Sequence, residues 1–237
     1  MRFKIFLNIV LLLICLTDSQ SQIKQRSSSI SYYTGIGYKF VILTNPTASD
    51  AYPFFQLSDG DFLKELDGFF GVTINEIFAL EFSPSYLFTN KQSSDGFYFQ
   101  DNNGLRFYYP VDSRLNAIPL NLTFKLFPFA KNYSSFLNKM YLGGGGGFIY
   151  FNEETTNQIY DNESQTGYLG ARTYKNDFWT SNFEVTLGIS SFSKIGFGFE
   201  VNYRFVPLDN KHDKPLVTSL AGNFNSVNLS ANIIYTF

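Results

Sequence analysis

Apolar and polar residues alternate with a period of two along most of this chain, the signature of β-strands with two unlike faces. The clearest case is Ile195 to Phe205, where Ile195, Phe197, Phe199, Val201, Tyr203 and Phe205 alternate with Gly196, Gly198, Glu200, Asn202 and Arg204. Val227 to Phe237 repeats the pattern with Val227, Leu229, Ala231, Ile233, Tyr235 and Phe237 on one face, and only Ile234 breaks it. Further strands are predicted at Ser31 to Leu43, Gly68 to Ile74, Ala79 to Asn90, Arg114 to Phe127, Lys139 to Phe151 and Phe178 to Ser190, eight in all. Pro84 predicts a bulge in the third, because proline cannot donate to a ladder.

Between the strands, long polar segments alternate with shorter turns. Thr44 to Asp67 reads as a loop with a short helical turn near Asp61 to Leu66, and Asn152 to Asp177 reads as another loop. Asp59, Asp61, Glu65 and Asp67 lack the ligand order of a calcium loop and read as solvated acids. Asn103-Gly104 marks a hairpin whose arms, Phe97 to Phe99 and Leu105 to Tyr109, are too short to cross a bilayer and are predicted to rise above the strands. Gly143 to Gly147 is followed by Phe148-Ile149-Tyr150-Phe151 rather than the Lys-Ser/Thr of a phosphate loop, so the run reads as a sharply bent strand that bulky neighbours approach closely.

The polar faces decide between architectures. They carry Gly, Ser, Thr and Asn with few charges, which suits the narrow interior of a small barrel better than the Lys- and Glu-rich exterior of a soluble sandwich. Composition agrees: aromatics reach 19 %, with 28 Phe and 16 Tyr, while charged residues fall to 16 %. The reading is an all-β, eight-stranded antiparallel up-and-down transmembrane barrel spanning residues 31 to 237, with long extracellular loops and both ends periplasmic. The last strand should close on the first.

Residues 1 to 21 read as a signal peptide. Arg2 and Lys4 precede an apolar run from Ile5 to Leu16 that is too short for a membrane helix, with cleavage expected near Ser21 and a polar leader from 22 to 30. Cys15, the one cysteine, lies within that run after Ile14 and reads as an ordinary signal-peptide residue rather than an acylation site. Without Arg2, Lys4 and Asp18, 16 basic and 19 acidic residues leave a net charge of −3, which argues against nucleic-acid binding.

Six charges fall on the inward faces: Lys39, Glu81, Lys125, Glu184, Glu200 and Arg204. Three acids and three bases predict a balanced salt-bridge plug, with a gate for small solutes as the alternative. His212 beside Asp213, with Ser219 nearby, reads as solvated loop rather than catalytic machinery, so no enzyme activity and no cofactor or metal is expected. Phe97, Phe99, Phe107, Tyr108 and Tyr109 form an aromatic patch suited to surface contact with an extracellular ligand.

The terminal Ile233-Ile234-Tyr235-Thr236-Phe237, the Ala117-Ile118-Pro119-Leu120 strand start and the glycine-rich Tyr141 to Tyr150 resemble small outer-membrane β-barrel domains of Gram-negative bacteria, in the OmpX-like and OmpW-like layout. That resemblance implies outer-membrane lipid and the barrel-assembly machinery as partners, with Ile233, Tyr235 and Phe237 as the assembly signal. By analogy with the OmpW-like group it also implies a narrow conduit for small hydrophobic compounds with a lateral opening at Pro84 and the glycine run, the rival of the surface adhesion or ligand-binding role that the aromatic patch suggests.

Overall fold

The computed structural model describes residues 30–45, 63–91, 97–101, 104–131, 136–161, 166–208 and 222–237; side chains within 90–113 and at 155 and 157 are not described. Nine strands follow one another: β1 (Ile30–Leu43), β2 (Lys64–Ile74), β3 (Phe78–Lys91), β4 (Phe97–Asp101), β5 (Gly104–Leu126), β6 (Met140–Tyr160), β7 (Tyr168–Ser190), β8 (Ile195–Phe205) and β9 (Ser226–Thr236), with a 3-10 turn at Leu137–Lys139. Neighbours pair antiparallel in the order β3-β2-β1-β9-β8-β7-β6-β5, and β3 pairs back onto β5. Eight strands therefore close a barrel. β4 adds only to the far end of β5, with Asp101 opposite Gly104 at the predicted Asn103-Gly104 turn.

The closing seam joins β1 to β9 from Tyr33 opposite Thr236 to Leu43 opposite Ser226, an unbroken register. Every β1 and β9 residue that the alternation places on the apolar face therefore points the same way. That way is out. On β8, Ile195, Phe197, Phe199, Val201, Tyr203 and Phe205 are all between 43 % and 65 % exposed, whereas Asn202 and Arg204 are buried. A soluble sandwich or lipocalin-like barrel turns its apolar face inward, so this surface is built for lipid. The eleven residues of β8 also match the length that a tilted strand needs to cross a bilayer.

Short turns join the strands at one end. Asn75 and Glu76 both have positive φ, and Ile77 N–H donates to the carbonyl of Ile74 over 3.1 Å, giving a tight hairpin of the primed type. At the other end, β5, β6 and β7 run to 23, 21 and 23 residues, about twice the crossing length. The predicted hairpin is present as β4 paired with the start of β5, whereas the Asn152 to Asp177 loop of the sequence reading is largely strand, and the upper parts of β5, β6 and β7 stand beyond the barrel as a sheet with β4.

Two other expectations are corrected. Lys64 to Leu66 are strand rather than a helical turn, because their side chains alternate between the outer surface and the interior as the rest of β2 does. Pro84 makes no bulge: the register is the same on both sides of it against β2 and against β5. Instead the ladder is interrupted. Pairing of β2 with β3 passes from Asp67 opposite Ser85 to Phe70 opposite Phe82, and that of β3 with β5 from Pro84 opposite Leu120 to Leu87 opposite Ala117. Pro84 and Pro119 flank these gaps, and each removes a donor. The five-glycine run, by contrast, pairs continuously with both neighbours.

Inward glycines make room for aromatic rings on adjoining strands. Tyr33 lies over Gly71, Phe69 over Gly35 and Tyr141 over Gly188, each directly across a ladder. Added Cβ atoms at Gly145 and Gly147 would press on the backbone of Leu122 and Leu120, so the bent wall at this run requires glycine.

Candidate functional site: the charged lumen and the protruding sheet

The lumen is built from the polar faces of eight strands. All six predicted charges point into it, and Lys39, Glu81, Lys125, Glu184 and Arg204 are buried, with Glu200 nearly so. Two acids assigned to a loop by the sequence join them, Glu65 and Asp67 on β2. Arg204 bonds Glu65 with both terminal nitrogens, each at 2.8 Å, from β8 to β2 across the interior. Its Nε lies 4.0 Å from Glu184, which also accepts from Asn121, Thr123 and Asn202. Lys39 contacts Asp67 at 2.9 Å and Glu65 at 3.6 Å. Nearer the short-turn end, Lys125 contacts Glu81 at 2.7 Å and Glu200 at 3.7 Å, while Tyr33 donates to Glu81 and Tyr141 to Glu200.

The predicted balance of three against three is therefore corrected. These two clusters hold five carboxylates and three cations, a formal excess of two negative charges. Glu65 and Asp67 escaped the sequence reading because they sit at the rim of a polar segment; extending the β2 alternation backwards through Leu66 and Lys64 would have found them.

An apolar cluster lies at each end of the charges. Toward the long-loop end, Val41, Leu43, Leu63, Leu87, Leu115, Ile149, Phe151, Val206, Leu208 and Phe224 are buried together. Toward the short-turn end, Tyr33, Phe69, Phe127, Tyr141 and Ile234 pack with Phe192, whose ring centroid is 4.8 Å from Tyr33 and 5.5 Å from Phe127.

Outside the barrel wall, Tyr150 and Trp179 face each other on β6 and β7 at 5.2 Å. Immediately beyond them the outward side chains turn polar. Asn152 donates to Asp177, Lys175 meets Glu154 at 2.9 Å, and the hydroxyls of Thr156 and Thr173 lie 3.0 Å apart. The bond to Glu154 holds the Lys175 ammonium above the usual lysine range. Aromatic residues that give way to charged pairs mark the lipid-water interface. From Trp179 to Tyr168, β7 then runs about 35 Å further at roughly 3.3 Å per residue.

β7 pairs with β6 from Tyr168 onward but with β8 only from Phe183 to Ser190, so among the described residues no strand pairs with the β8 side of Tyr168 to Asn182. Thr180 meets the adjoining chain there, donating to the Pro207 carbonyl at 2.7 Å. Asn176, Phe178 and Trp179 also have partners, so this side is not free along its length.

Of the remaining predicted positions, Phe97, Phe99, Phe107, Tyr108 and Tyr109 lie on paired backbone of β4 and β5, with side chains outside the described residues. His212, Asp213, Ser219, Asp59, Asp61, Cys15 and the leader also lie outside them. Ile233, Tyr235 and Phe237 are exposed on the outer surface at the short-turn end.

The closed pairing, greasy exterior and charged interior define a membrane-spanning β-barrel. No protein-family model and no curated protein matches the chain. Solved structures similar to it include Ail, the attachment invasion locus protein of Yersinia pestis, at 10 % identity and a TM-score of 0.43, covering 90 % of this chain and 100 % of that one. OprG from Pseudomonas aeruginosa is similar at 11 % identity and a TM-score of 0.43, covering 90 % and 98 %. Neisserial surface protein A is similar at 14 % and 0.38, covering 90 % and 100 %. The class rests on this chain's own pairing and surface.

Proposed function

We propose that this chain is a bacterial outer-membrane barrel with a plugged lumen that acts at the cell surface, where the protruding sheet binds a ligand or an adhesion partner. The observation that carries this reading is the paired sheet of β4, β5, β6 and β7, which continues beyond the Tyr150 and Trp179 boundary. Segments that stand in water on a rigid scaffold are where binding residues concentrate. Two apolar clusters capping a cross-linked charge network support the plug, since little lumen remains in eight strands.

The test is a variant in which Glu154 to Lys175 is replaced by a short turn. It should keep the migration shift of a folded barrel between unheated and boiled detergent gels. Bacteria displaying it should lose most of their retention on animal-cell monolayers relative to bacteria displaying the whole chain. Equal retention would remove the protruding sheet from the function.

A second reading, a narrow conduit for small hydrophobic compounds, is favoured by the ladder gaps at Pro84 and Pro119, which place unpaired backbone on either side of β3 within the wall. Planar-bilayer recording separates the two: discrete conductance steps would sink the plugged lumen, and silence would count against a conduit.

A further inference from the structure

We propose that the lumen binds a hard monovalent cation, sodium or potassium, between Asp67 and Asn232 over Gly37. The three residues are consecutive across adjoining strands, with Gly37 opposite Asp67 on one side and opposite Asn232 on the other. Gly37 contributes no side chain, and a Cβ there would collide with Oδ1 of Asn232, so this oxygen leans across β1 toward β2. From the other flank, Asp67 gives Oδ2 to Lys39 at 2.9 Å and keeps Oδ1 without a hydrogen-bond partner. Oδ1 of Asn232 likewise has none. Both residues are more than nine-tenths buried, at 6 % and 7 % exposure. Two buried acceptors without hydrogen-bond partners thus stand on the strands either side of Gly37.

Hydrogen bonding alone would be satisfied by a bridging water, which offers two donors. Charge distinguishes the occupants. The surrounding clusters carry five carboxylates against three cations, and an uncompensated charge in a closed interior is costly. A cation answers both deficits. Among the described residues no trio of acidic, His or Cys side chains is placed to hold a metal ion, which removes the many-carboxylate cage of calcium and the ligand sets of transition metals. One carboxylate oxygen and one amide oxygen, completed by water, suit a singly charged hard ion. On the plugged-lumen reading proposed above, the ion is taken up as the barrel folds.

The experiment measures urea unfolding of the full chain, folded in detergent micelles, as sodium chloride replaces choline chloride at constant ionic strength. Above the dissociation constant, each tenfold rise in sodium should lower the unfolding equilibrium constant about tenfold. Asn232→Leu, which removes the amide oxygen without changing charge, and Gly37→Ala, which displaces it, should flatten that slope while keeping the folded gel shift. Asp67→Asn should do the same, and the other two variants decide the matter if it does not fold. A wild-type slope of zero would mean water only and would overturn the site, as would a slope unchanged in Asn232→Leu and Gly37→Ala.

Discussion

β6 and β7 each pass through two environments, and their lower and upper halves follow opposite rules. Below Tyr150 and Trp179 the outward residues are Phe148, Phe183, Val185 and Leu187, and the inward ones include Asn182 and Glu184. Above that level the outward residues become Asn152, Glu154, Asp177 and Lys175 while the same ladder continues unbroken from Met140 to Ile159. The hydrogen-bonded frame is therefore indifferent to its surroundings, and the side chains alone record where lipid stops. Stability should be concentrated in the lower half, where backbone groups and buried charges are costly to leave without partners. The upper half is exposed to water on its outward face.

The lower half should break first at Arg204. Its guanidinium spans the interior between Glu65 and Glu184, so Arg204→Ala leaves buried carboxylates facing one another and should cost about 3–5 kcal/mol. Urea unfolding from lipid vesicles measures this, and Glu65→Gln added to the variant should recover much of the loss. A loss below about 1 kcal/mol would mean that water or another cation already serves Glu65. Next in size is a pair of arginine substitutions on the outer surface. Phe199→Arg, halfway along β8, should cost about 2–4 kcal/mol, as charges do at the lipid midplane. Thr173→Arg, outward on upper β7, should stay within about 0.5 kcal/mol, as for an exposed site in water. Equal costs would erase the boundary between the halves. Smaller again is Gly71→Ala, whose methyl would strike the Tyr33 ring and push its hydroxyl from Glu81; overpacking of this kind costs about 1–3 kcal/mol.

The same division explains what could be read in the sequence. Where one face meets lipid and the other a packed lumen, alternation is forced, and β1, β3, β8 and β9 were legible to within a residue or two. Where both faces meet water or rim, alternation between apolar and polar is no longer required. Asn152 to Tyr160 and Tyr168 to Asp177 are polar on both faces and so looked like loop, although Thr155, Thr156 and Thr173 favour strand and Glu154 matches Lys175 across the ladder. The start of β2 was hidden for a related reason. Lys64 points outward at the rim, with its ammonium 5.7 Å from the Phe88 ring, and Glu65 and Asp67 point inward, so three charges in four residues imitate a solvated segment. Cross-lumen pairing, such as Arg204 with Glu65, follows from closure and could not be inferred from any one strand.

The finest test of the boundary uses the single tryptophan, Trp179. Half of its surface is exposed, and it stands at the last outward aromatic position of β7 before Asp177. An indole there should sit at headgroup level, with its apolar body toward the acyl chains and its N–H toward water. In vesicles containing lipids brominated at different depths, quenching should be strongest for bromines nearest the glycerol backbone and weaker toward the chain ends. Strongest quenching by bromines deep in the chains would draw Trp179 toward the bilayer centre and carry the Glu154 and Lys175 pair into the headgroups or below. The charged outward residues of the upper half would then lie in hydrocarbon, at a cost of about 2–4 kcal/mol for a lysine at midplane. That result would move the upper half of β7 out of reach of partners in water.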